Sequence, residues 1–117
     1  MSLLIKNGTI LTAASEFTGD IYIEGETIRQ IGTNLSVNAS QTIDASGKYV
    51  MPGGVDEHVH YGSFGGRLFE TAEAAAAGGT TTIVDFAPQE KGVPLLDAIR
   101  RQAAKAEHTS SVDFAFH

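Results

Sequence analysis

Apolar and polar residues alternate in short runs over residues 1–51, and near Pro52 they give way to longer runs with helical spacing. "SLLIKNGTILT" alternates weakly around Asn7-Gly8, a dipeptide suited to a tight hairpin turn. In "DIYIEGETIRQIG", Ile21, Ile23, Ile28 and Ile31 sit on two arms around Glu24-Gly25-Glu26, which predicts two strands joined by a short turn. "QTIDASGKYVMPGG" adds two short strands around Ser46-Gly47. About five short strands rarely bury both faces alone, so residues 1–51 read as part of a small sandwich that needs strands from elsewhere.

From Pro52 the rhythm is strand, helix, strand, helix, strand. "GVDEHVH" predicts a strand and "RLFETAEAAAAGG" a helix stopped by Gly78-Gly79, where glycine accepts the left-handed cap conformation. Its four alanines are strong helix formers rather than low complexity. "TTTIVDFA" is β-branched and nearly continuous, as in a strand covered on both faces. "PLLDAIRRQAAKAEH" is an amphipathic helix with Pro94 suited to its first turn. Its expected apolar face carries Leu95, Leu96, Ile99 and Ala103, with Arg100, Arg101 and Lys105 on or near the other. "SVDFAFH" predicts a third strand. Alternating strands and helices argue for a parallel α/β sheet over residues 52–117. A closed eight-stranded α/β barrel needs ~250 residues, so the simplest expectation is the N-terminal part of something longer, with a small open sheet as the alternative.

Composition narrows the chemistry. The 117 residues are 42% hydrophobic and 19% charged, as in a globular protein. A net charge of −6 disfavours a phosphate-backbone partner. There are no cysteines, so a metal site here has His and carboxylate ligands only. The apolar run at the N-terminus is too short for a signal peptide or a membrane span, and a cytoplasmic location is the default expectation.

"PGGVDEHVHYG" is the stretch that carries chemistry. On one strand, His58 and His60 would face the same side with Cα atoms about 6.5 Å apart, close enough for both imidazoles to reach one Zn²⁺. Taken alone, His-x-His is more often a surface or hydrogen-bonded pair. Its position at a strand end, before the glycine-rich "YGSFGG", favours the metal. Two ligands leave a Zn²⁺ site incomplete.

Together, "PGGVDEHVH", "GGTTTIVDF" and "VDFAFH" resemble the start of the amidohydrolase superfamily, in its dihydropyrimidinase and hydantoinase branch, and the N-terminal segments look like that branch's β-sandwich. The resemblance covers nearly the whole chain. It implies the start of a (β/α)8 TIM-type barrel, residues 52–117, preceded by part of a β-sandwich, residues 1–51. It makes His58 and His60 ligands in a centre of two divalent metals, zinc by family habit, bridged by a carbamylated lysine beyond His117. Two further histidines and a proton-shuttling aspartate are implied there too, so the fragment alone is expected to be inactive. The implied reaction is hydrolysis of a cyclic amide, a dihydropyrimidine or hydantoin, to an N-carbamoyl amino acid by a cytoplasmic homo-oligomer, tetramer or dimer. No nucleic-acid or membrane partner is implied. The alternatives are a non-catalytic scaffold of the same branch, which typically lacks the metal histidines, or another cyclic amidohydrolase such as an allantoinase or dihydroorotase. Dihydroorotases usually carry an arginine two positions after the second histidine. Here that position is Gly62, which favours an uncharged ring.

The resemblance also gives substrate-loop roles to Tyr61 and Phe64, in a segment from Tyr61 to Phe69 that is shorter than the branch's usual loop. Phe69 reads better as core. Asp85 is a candidate for orienting a ligand histidine, with capping of nearby backbone as the competing reading. Asp56 shares the pattern without being a standard ligand. His117 reads as near the site without being a ligand, and His108 as a solvated residue at a helix end.

Overall fold

The computed structural model describes residues 1–61 and 72–117, which pack as two units, residues 1–52 and 53–117. The first unit is a five-stranded sheet built on β1 (Ser2–Leu11). β1 pairs antiparallel with β2 (Glu16–Glu24), which pairs antiparallel with β3 (Thr27–Gly32). On its other edge β1 takes β4 (Gln41–Asp44) and β5 (Tyr49–Val50), both parallel. Leu4, Ile10, Ile21 and Ala45 are its buried apolar residues.

The β2–β3 hairpin forms where the pattern placed it. Gly25 takes φ +61° in the turn, and Glu24 pairs with Thr27. Asn7-Gly8 does not form a turn. Both residues lie inside β1, where the register with β2 shifts between Ile5 and Gly8. Asn7 adopts φ +61°, donates its backbone N–H to Asp20 Oδ1 at 2.8 Å, and donates its amide to Asp44 Oδ1 at 3.0 Å. The left-handed residue therefore makes a bulge instead of a reversal, because side chains from two other strands meet its polar groups.

Asp20 does the same for a second left-handed asparagine. Its Oδ2 accepts the Leu35 N–H at 2.8 Å, next to Asn34 at φ +53°. The Asn7 N–H holds its carboxyl below the ordinary 3.8; burial opposes this, and the Leu35 N–H and Lys6 reinforce it. A depressed carboxyl stabilises the fold above its ordinary value and loses that contribution as pH falls through the lower folded value. Asp20→Asn keeps the shape and removes the charge. It is expected to melt below the parent at neutral pH, with the gap closing in strong acid. Parallel melting curves across the acid range would contradict this.

The second unit is a parallel sheet in the order β6 (Gly54–Asp56), β7 (Thr80–Asp85), β8 (Asp113–Phe116). Helix α1 (Ala72–Ala77) packs on β7, and α2 (Leu95–Ala106) on β8. The unit is α/β. Its centre is Ala72, Ile83 and Ala106, against which Val59, Tyr61, Val112, Phe114 and Phe116 pack. Gly79 (φ +92°) follows α1 and donates its N–H to the Ala76 carbonyl.

Two further expectations need correction. The face of α2 that is buried carries Ala98, Gln102 and Ala106, while Leu95 and Leu96 are more than half exposed. The apolar stripe is wide, and its small-residue side lets the helix backbone approach the sheet closely. Second, the strand expected to run through the histidines stops at Asp56. Asp56 Oδ1 accepts the His58 N–H at 3.2 Å, a local turn that competes with the strand ladder.

Candidate metal centre

β6 ends just before the pair, yet the alternation it set up persists. Val59 donates its N–H to the Val84 carbonyl at 3.1 Å, which keeps the segment beside β7. Val59 and Tyr61 turn inward against the core, and His58 and His60 are exposed. The two imidazoles are 5.2 Å apart, centroid to centroid, and nearly perpendicular. Both are thus on one side of the chain, accessible, and within reach of a common ion. Among the described residues, no group of three or more His, Asp or Glu is arranged to hold a metal ion. The donor set fits two ligands of a borderline-soft divalent cation, and the remaining ligands of a closed site must be supplied from elsewhere.

Phe86, the residue after β7, lies against both histidines. Its ring centroid is 4.9 Å from His58, 5.0 Å from His60 and 4.9 Å from His117. His117 follows β8. Its backbone N–H donates to the Asp85 carbonyl at 2.9 Å, and its carbonyl accepts the Ala87 N–H at 3.3 Å. Its Nε2 reaches the Glu57 carbonyl at 3.0 Å. The ends of β6, β7 and β8 are therefore tied together around one aromatic ring.

The other singled-out residues fall as follows. Asp85 is fully buried and accepts the N–H of its neighbour Phe86 at 2.7 Å. Asp56 serves the His58 backbone. Tyr61 is partly buried against the core. His108 is exposed after α2. Phe64, with Gly62, Leu68 and Phe69, lies outside the described residues. Phe86 was not singled out from sequence. Its only signal there is its place directly after a strand, at the end of the sheet where the histidines sit.

No protein-family model matches the chain. It is 46% identical over 123 aligned positions to the D-hydantoinase of Geobacillus stearothermophilus, covering 100% of this chain and 26% of that protein. The aligned length exceeds that of the chain, so the relative carries a few residues with no counterpart here. The solved D-hydantoinase (dihydropyrimidinase) from Thermus sp. superposes with a TM-score of 0.87 at 43% identity, over 98% of this chain and 27% of that one. The dihydropyrimidinase from Brevibacillus agri gives a TM-score of 0.91 at 39% identity, over 100% and 27%. The chain thus spans about a quarter of the length of the relatives it matches. Over that quarter, in sequence and in fold, it is homologous to the hydantoinase and dihydropyrimidinase branch of the amidohydrolase superfamily.

Proposed function

We propose that this chain is the metal-clamping portion of a cyclic amidohydrolase that opens dihydropyrimidine or hydantoin rings to N-carbamoyl amino acids. The observation that carries the reading is the pairing of His58 and His60 on one accessible side of a strand end, in a chain homologous to hydantoinases. His58 and His60 would each give a neutral ring nitrogen to the metal. When bound, the ion supplies Lewis-acid polarisation of the ring carbonyl and activation of water. Asp56 fixes the peptide that carries His58. Val59, anchored between the two ligands, prevents the segment from rotating them apart. Asp85, buried behind Phe86, is placed to stiffen the strand end, and orientation of a ligand histidine is the second role we assign to it.

The same reading extends to parts supported by family resemblance. These are a (β/α)8 barrel continuing from β6, β7 and β8, and a β-sandwich continuing from the first sheet. They include two metals, zinc by preference, bridged by a carbamylated lysine. They also include a homo-oligomeric state and a cytoplasmic location. Three parallel strands in sequence order, with helices between them, support the barrel. An apolar concavity of about 240 Å³ lined by Ile5, Ile23, Ile28, Ile31 and Met51 supports further packing on the first sheet. No helix among the described residues is long and apolar enough to cross a membrane.

Metal removal tests the proposal. Dialysis of the complete protein against a chelator should abolish hydantoin ring opening, and added Zn²⁺, Mn²⁺ or Co²⁺ should restore it. Full turnover by the metal-stripped protein would overturn the reading.

A further inference from the structure

We propose that His117 is a positioning residue for the His58/His60 pair, acting through the Glu57 carbonyl and the ring of Phe86. The inference rests on the metal reading above and deepens it. A carbonyl only accepts, so the 3.0 Å contact requires a hydrogen on His117 Nε2. That nitrogen has no lone pair to offer a metal while it donates, so the contact engages it with the backbone instead. Its hydrogen bond falls on the peptide immediately before His58. Without it, that peptide is held by the Asp56 turn on one side and by Val59 on the other.

The reach of this contact is unusual. β7 lies between β6 and β8, so β6 and β8 share no ladder. His117 is fastened to β7 by its own backbone, and its side chain passes over β7 to the end of β6, a residue 60 positions away in sequence. On the way its ring lies against Phe86, tilted by 32°, and Phe86 in turn touches both candidate ligands. Rotation of either ligand ring toward Phe86 meets that ring, which His117 also contacts. The hydrogen bond is the main restraint, fixing the backbone before His58, and the ring contact adds a smaller restraint on the rotamers.

The two components separate by substitution. His117→Gln places an amide Nε2–H at the same distance along the side chain and discards the aromatic face. His117→Phe keeps the face and discards the donor, and His117→Leu discards both while filling the space. Zn²⁺ affinity of the complete protein is measured by competition with a chromogenic chelator, for these variants and for the His58→Ala/His60→Ala double variant. Loss of a hydrogen-bonded partner behind a metal ligand typically costs about 10- to 100-fold in affinity. We expect His117→Phe and His117→Leu to weaken Zn²⁺ binding by about tenfold or more, and His117→Gln to stay within a few-fold of the parent. Parental affinity in His117→Phe and His117→Leu would overturn the inference. So would an equal loss in His117→Gln, which would reduce the role to packing. Undiminished binding in the His58/His60 double variant would instead strike the metal reading itself, whatever the His117 variants do.

Discussion

Replacing His58 and His60 together with alanine is expected to bring bound metal down to background and to abolish ring opening, while leaving the fold almost unchanged. The two halves of that expectation have separate causes. In the proposed site each imidazole is a whole ligand, so its loss should exceed the roughly hundredfold seen when only an outer partner of a ligand is removed. Both side chains are exposed, and the core of Ala72, Ile83 and Ala106 gains nothing from them. The backbone bonds that hold the segment, Val59 to Val84 and Gly54 to Gly79, do not involve either side chain. Surface substitutions of this kind usually change stability by no more than about 0.5 kcal/mol. Elemental analysis with a thermal melt of the metal-free form checks both halves. Stoichiometric metal in the double variant would end the assignment, and so would a collapse of the metal-free fold, since it would make these histidines structural.

The second large effect concerns substrate charge. If the proposed activity holds, then with Gly62 where dihydroorotases usually place an arginine the complete protein is expected to favour 5,6-dihydrouracil and unsubstituted hydantoin over dihydroorotate. An unpaired carboxylate taken into a closed site costs several kcal/mol in effective desolvation. Even ~3 kcal/mol of that, felt in the transition state, is more than a hundredfold in rate. The comparison is of kcat/KM for the three rings under one set of conditions. Dihydroorotate turned over as fast as either neutral ring would show that another cation meets its carboxylate.

The histidine pair was legible because its geometry is local: two residues, one spacing, one strand end. The β2–β3 hairpin was legible for the same reason, with Gly25 supplying the turn conformation within the segment itself. Asn7-Gly8 misled because the decisive partner is Asp20, thirteen positions on, which turns a hairpin signal into a bulge. The parallel pairing of β4 and β5 with β1 left no trace in the pattern, since each strand reads the same whichever neighbour it takes. The face of α2 was misread because an apolar stripe wider than the contact leaves the choice of centre to the sheet. His117 was legible as a residue near the site, but its contact with Glu57 was not. The two ends of that contact are 60 residues apart, and one of them is a backbone carbonyl that any residue would carry.

The central place of β1 has a consequence for the nascent chain. β1 leaves the ribosome before the other strands of its sheet, and β2 and β3 can zip onto one of its edges as they emerge. The opposite edge must wait for Ser40 and the residues after it, 38 positions downstream of Ser2. At ordinary synthesis rates that interval is on the order of 2–8 s, during which a strand rich in isoleucine and leucine offers unpaired N–H and C=O groups to its surroundings. Closing the long loop also costs about 1.4 kcal/mol more chain entropy than closing one of eight residues. The burden of chaperoning this sheet should therefore fall in the interval before β4 has been made.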